Sequence, residues 1–238
     1  MATSRVAGAL IAYEPFDYPA YTALVDQTNG FGFAEPWQSG GFNARIFNLA
    51  NMEPGALHYP GLATQGTNHL HIEAVSGEGI SGLTRLLATN LNTPGAKFYL
   101  SFLHRPDGEE EFSSVVLGTG AGPELSVGKS GSTRRYHVSQ RGGVGRVFSE
   151  VEAVVGKTAF LVVKMEFKPG PDRFTLYLNP TPGQPEPAGG VVKDDLALEF
   201  AENLTLYSRG SWSLDELRLG TTWEDVTPAQ SAVPTRKP

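Results

Sequence analysis

The stretch from Thr158 to Asn179 limits the fold more than any other. It runs Thr-Ala-Phe-Leu-Val-Val-Lys-Met-Glu-Phe, then Lys-Pro-Gly-Pro-Asp, then Arg-Phe-Thr-Leu-Tyr-Leu-Asn. Leu161, Val163, Met165 and Phe167 share one parity, and Lys164 and Glu166 take the other. After the join, Phe174, Leu176 and Leu178 alternate with Arg173, Thr175 and Tyr177. Side chains of a strand point to alternate faces, so each arm has one apolar and one wetter face. Two prolines and a glycine in the join supply a fixed φ and a permissive backbone for reversal. This is an antiparallel hairpin lying over a core, and it needs other strands to cover it.

Those strands are legible elsewhere. Residues 8–13, 57–59, 68–74, 84–88, 97–104, 113–117, 124–128, 135–139, 203–207 and 211–219 read as short strands split by turn signals. Residues 147–155 read as a strand or an irregular link. Residues 20–56 are rich in Gly, Asn, Pro and aromatics and read as loop with short strands, and 181–190 reads as loop. At most one helical turn fits near Asp194–Glu199. A 40% hydrophobic share supplies a core, while 28 glycines and 17 prolines in 238 residues favour turns over long helices. The expected fold is all-β: a two-sheet antiparallel jelly-roll sandwich with little helix. One domain spans 1–226, and 227–238 forms a proline-containing tail or linker.

Composition removes several functions. Without cysteine there is no disulfide, thiolate metal site or cysteine nucleophile. A net charge of −6 with no dense basic run argues against nucleic acid, where phosphate neutralisation supplies most of the affinity. No apolar run reaches the roughly 20 residues of a membrane-spanning helix. Val6–Ala12 behind Arg5 reads as strand rather than signal core, so no export signal is visible.

Four segments carry a family resemblance. They are Ala12-Tyr-Glu-Pro-Phe-Asp-Tyr18, the strand Phe160–Phe167, Phe174-Thr-Leu-Tyr-Leu-Asn-Pro180, and Ser213-Leu-Asp-Glu-Leu-Arg-Leu-Gly-Thr-Thr-Trp223. Together they resemble the concanavalin A-like, laminin G-like jelly-roll domains of large bacterial surface and secreted proteins, over about residues 8 to 226. The resemblance implies two antiparallel sheets face to face, with first and last strands adjacent. Members bind glycans or proteins, carry calcium, or serve as passive modules, and some relatives are glycosidases. It also implies a secreted or cell-surface location.

Glycosidases of this fold related to laminarinases carry Glu-x-Asp-x-(x)-Glu on one strand, which lines up carboxylates for acid and nucleophile work. This chain has no such motif. Glu150 and Glu152 stand at strand spacing without a third acid, and Glu109–Glu111 reads as a solvated charge run. No Gly-x-Ser-x-Gly elbow marks a serine nucleophile. The expectation is therefore no enzyme. Asp215 shares parity with Leu217 and Leu219 and is expected to point inward near Asp17. The pair is a candidate site for structural calcium, the alternative being that Asp215 accepts backbone N–H bonds. His69, His71 and Glu73 share one face, read as solvated rather than metal-binding. Exposed rings beside polar groups suit sugar stacking. The candidates are Trp37, Tyr99, Tyr136, His137 and Tyr177, assisted by Arg135 and Arg173, whereas Trp223 reads as an edge anchor. The expected function is a non-catalytic carbohydrate-binding or adhesion module, a lectin whose partner is a glycan or surface protein. The first alternative is a structural subunit that forms a homo-oligomer or filament through sheet edges or terminal segments. The second is a glycoside hydrolase.

Overall fold

The computed structural model describes residues 8–39, 48–74, 81–109, 111–131 and 133–230. They form two antiparallel sheets. One holds β13 (Val191–Leu196), β12 (Asp172–Leu178), β11 (Ala159–Glu166), β6 (Lys97–Pro106), β15 (Trp212–Gly220), β4 (Asn68–Ala74) and β3 (Asn48–Pro54), in that order. β1 (Leu10–Glu14) also pairs with β15, so the first and last strands are neighbours. The other sheet runs β10 (Val147–Glu152), β9 (Arg135–Gln140), β8 (Leu125–Lys129), β7 (Ser113–Gly118), β14 (Asn203–Ser208), β5 (Ser81–Leu86) and β2 (Gln38–Ser39). The chain is a jelly-roll sandwich.

The central hairpin is β11–β12, in register from Leu161 opposite Leu178 to Glu166 opposite Arg173. Its apolar parity (Leu161, Val163, Met165, Phe174, Leu176) enters the core between the sheets. Its other face is less wet than the pattern predicts. Phe160, Val162 and Tyr177 join Tyr99, Leu103 and Trp223 in a second apolar cluster outside the eight-stranded sheet. Leu57 and Leu62 of the segment before β4 complete it. Trp223 starts the short helix α1 (Trp223–Val226), which is closed by a capping box between Thr222 and Asp225. Trp223 is buried and donates its indole N–H to the Gln184 carbonyl at 2.8 Å, so it pins a loop rather than a free edge.

Two sequence readings are decided by the structure. Asp194 lies in strand β13, where Lys193 and Asp195 mask the alternation. The segment 147–152 is an edge strand whose register against β9 shifts between Phe148 and Glu152. The segment that follows residue 227 starts against the domain: Ala229 bridges Leu62, and Gln230 donates its N–H to the Gly61 carbonyl at 2.8 Å. Residues 231–238 lie outside the described residues.

The last strand also departs from simple alternation. Its register against β6 shifts between Asp215 and Arg218, and Glu216 has φ 55°. One extra residue in a strand reverses the faces that follow. Leu214, Leu217 and Leu219 therefore all reach the core, while Asp215 lies opposite Leu103 on the outer side.

Candidate functional site

The bulge corrects the reading of Asp215. It is buried, but away from the intersheet core. Its carboxylate accepts the Leu57 and Glu216 backbone N–H groups at 2.9 and 2.8 Å. Asp17 instead accepts the Thr67 N–H and hydroxyl, at 3.0 and 2.8 Å. The two acids serve different donors, so they do not fit a shared calcium site, which needs at least six oxygens. No group of three or more His, Asp or Glu among the described residues is arranged to hold a metal.

The histidines on β4 are not a solvated face. His69 is buried and its Nδ1 bonds the Gly55 carbonyl. His71 Nδ1 lies 3.2 Å from Asp107 and 3.1 Å from the Ser213 hydroxyl, which donates to Asp107 at 2.6 Å. Ser, His and Asp meet here, but a nucleophilic triad needs serine and aspartate on opposite ring nitrogens. Both crowd onto Nδ1, so the cluster is a structural ion pair.

The sugar-stacking candidates divide sharply. Trp37, Tyr99, Tyr136 and Tyr177 are buried rather than exposed. Trp37 donates its indole N–H to Glu14 at 2.9 Å. Tyr99 and Tyr177 both donate to Glu186, at 2.8 and 2.5 Å. Tyr136 packs edge-on against His104 in the core. A ring committed to packing offers no face to a sugar, which corrects the stacking role for these four. Arg173 sits among Glu166 and Asp194 on the other sheet. Arg135 and His137 remain, both on β9; the His137 ring is also buried and packed edge-on against Phe148, so it too offers no stacking face and keeps only its open Nδ1.

Around them the outer face of the seven-stranded sheet is built as a strip. Register aligns Phe148, His137, Gly128, Ser114 and Tyr207 across five strands. Small residues make a low floor. A Cβ on Gly128 would stand 2.0 Å from the Ser113 carbonyl oxygen, so only glycine permits this strand approach. The Phe112 and Tyr207 rings, 5.2 Å apart, form one wall. The turn carrying Gly142, Gly143 and Arg146 forms the other. That turn is pinned by Lys193, which donates to the Gly145 carbonyl at 2.8 Å and to Asp195 at 2.6 Å.

These walls enclose a cavity of about 140 Å³. Small-molecule pockets are usually about 300 Å³ or more, so this one suits part of a longer chain. His137 Nδ1, Ser139 Oγ and Arg146 Nε are buried polar atoms with no hydrogen-bond partner. Buried polar atoms are nearly always paired, so three on one cavity are notable. Burial, with Arg146 nearby, lowers the His137 pKa to about 3, so its ring is neutral near pH 7.

Just before the start of β9, at Arg134, lies a second cavity of about 300 Å³. Glu109, Glu152 and Arg134 line it. Arg134 donates to Glu109 at 2.8 Å. The register sets Glu152 opposite Arg135. Arg134 has φ 52°, a left-handed conformation that a non-glycine residue adopts at a cost. Glu150 is 92% exposed and pairs loosely with Arg135 at 3.6 Å. Glu109, read from sequence as one of a solvated run, therefore shares a cavity with Glu152. No sequence spacing could reveal this, because 43 residues separate them. The same holds for Arg146, whose role depends on the turn it closes.

No protein-family model matches this chain, and no curated protein matches it in sequence. Solved structures match its shape. The globular domain of Trypanosoma cruzi calreticulin aligns at TM-score 0.55 and 10% identity, over 92% of this chain and 90% of that one. An endo-1,3-beta-glucanase from Streptomyces sioyaensis aligns at 0.53 and 8%, over 92% and 98%. Beta-agarase A from Zobellia galactanivorans aligns at 0.54 and 13%, over 90% and 92%. At these identities the likeness establishes the jelly-roll fold. It also corrects the expectation of a non-catalytic module without enzyme activity. That expectation rested on the missing Glu-x-Asp-x-(x)-Glu and Gly-x-Ser-x-Gly motifs, and most of these neighbours are glycan-cleaving enzymes. Among the described residues no helix is long and apolar enough to cross a membrane.

Proposed function

We propose that this chain is a glycan-cleaving enzyme, a glycoside hydrolase of the jelly-roll fold, acting on a polysaccharide laid along β9 and β10. Two features carry the reading: a polar pocket with unpartnered atoms on β9, and, just before the start of that strand, a cavity lined by two carboxylates and a guanidinium. Hydrolysis of a glycosidic bond needs one group to protonate the leaving oxygen. It needs a second to activate water or to attack the anomeric carbon. Glu109 and Glu152 take these two roles, and Arg134 holds Glu109 in place. The glucanase and agarase neighbours support the choice of chemistry, and the resemblance to domains of secreted bacterial proteins supports action outside the cell.

Reducing-end release from a panel of neutral and acidic polysaccharides tests this. Wild type should release oligosaccharides from at least one polymer. Glu109→Gln and Glu152→Gln should each lower the rate by about 100-fold or more, the scale of an acid–base contribution, with circular dichroism unchanged. No release from any polymer, or full activity in the double variant, overturns the reading.

A further inference from the structure

The cavity beside β9 has a chemistry that selects its occupant. Its residues include no carboxylate. Arg146 is partly buried and faces no acidic partner among the described residues. The other partly or fully buried arginines among the described residues do: Arg85 pairs with Glu14, Arg105 with Asp107, Arg141 with Glu124, Arg173 with Glu166 and Arg218 with Glu216. A half-buried guanidinium without a counter-ion favours an anion. Its head is held between Ser130, which accepts from it at 3.4 Å, and the Phe148 ring, at 5.8 Å. Its Nε is left to donate into the cavity.

The other two unpartnered atoms narrow the choice. A neutral imidazole has one N–H and one lone pair. His137 Nδ1 has no partner, and in either tautomer it can share a hydrogen bond with a hydroxyl, which both donates and accepts. Ser139 Oγ can give or take a proton. The occupant must therefore bring an anionic oxygen and, close by, a hydroxyl.

We propose that this pocket recognises an acidic sugar, with the carboxylate or sulfate on Arg146 Nε and Ser139 Oγ and a neighbouring sugar hydroxyl hydrogen-bonded to His137 Nδ1. The substrate class is thus an acidic polysaccharide. This deepens the glycan-cleaving reading and rests on it for the substrate being a polymer.

The test is affinity electrophoresis of the full chain in gels of alginate, carboxyl-reduced alginate, carrageenan and desulfated carrageenan. The acidic polymer of at least one pair should retard wild type roughly tenfold more strongly than its neutral form, the scale of one charge-assisted hydrogen bond. The pair that responds distinguishes carboxylate from sulfate. Arg146→Gln should abolish the difference, and Arg146→Lys should keep part of it. Ser139→Ala removes a buried hydroxyl that has no partner, so the variant should melt no lower than wild type and still bind acid more weakly. A structural role for Ser139 would give the reverse. Equal retardation by acidic and neutral forms, no retardation by any polymer, or unchanged binding in Arg146→Gln overturns the proposal. If neutral polymers are cleaved while Arg146→Gln changes nothing, acid recognition falls and hydrolysis stands. Acid binding through Arg146 with no cleavage of any polymer gives the opposite division.

Discussion

Individual side chains here are used in two ways, and pH separates them. His71 is raised above its ordinary value, chiefly by its hydrogen bond to Asp107. Burial raises Asp107, but hydrogen bonds from His71, Arg105 and Ser213 outweigh it and hold Asp107 at about 2. The histidine contribution is complete below its unfolded value of about 6.5 and is lost as pH rises through the folded one. The aspartate contribution is present above about 3.9 and is lost as pH falls towards 2. The pair therefore stabilises most between about pH 4 and 6.5. His71→Asn should lower the melting temperature more at pH 5.5 than at pH 8. An equal drop at both would dismiss the ion pair. His104 behaves oppositely. Burial lowers it to about 3, so its neutral form opposes unfolding only until the unfolded chain takes up protons below about 6.5. It should contribute to acid unfolding between those values. Glu14 is the most committed acid. It receives Arg85, Tyr18, Trp37 and the Phe16 N–H at 2.5 to 2.9 Å. Glu14→Ala strands a buried guanidinium and should cost about 3–5 kcal/mol in urea unfolding.

At the level of strands and turns, local backbone exceptions build the strip. Gly128→Ala would force a Cβ onto the Ser113 carbonyl. It should cost about 1–3 kcal/mol, an overpacking penalty, and loosen the pocket floor. Arg134→Gly should relieve the left-handed conformation and leave stability near wild type while lowering polysaccharide cleavage. Unchanged activity would remove Arg134 from the site. The alternating strands were readable because period two needs only a few residues of context. The hairpin at 158–179 and the adjacency of first and last strands are both present. Asp215 was misread because parity presumes an unbroken strand, and Glu216 breaks it. The stacking aromatics were misread for another reason. Tyr99 and Tyr177 sit on the outward parity, but α1 and the 180–190 loop cover that face, and coverage is a long-range property. His137 was legible as a polar residue beside an aromatic. Its partners Ser139 and Arg146 became meaningful only with the strand order and the turn.

For the whole molecule, sequence order and spatial order differ greatly. β15 lies between β6 and β4 and also carries β1. β14 lies between β7 and β5. Both sheets are therefore bridged by strands from the last quarter of the chain. Sequence-distant pairings slow folding, because loop closure precedes the contacts that stabilise it. A chain truncated after Arg209 should show neither the native near-ultraviolet spectrum nor a cooperative melt. Retention of both would mean that β6 and β4 can close without the strand between them. Seen from the ribosome, the position of β15 is a matter of timing. Synthesis delivers roughly 5–20 residues per second, starting from the amino end. β1, β4 and β6 must each wait, with their pairing edges open, for a strand that emerges after all the other described strands. Until then the domain is an unfinished sheet that lacks a central strand, and that is when chaperones would have most to hold.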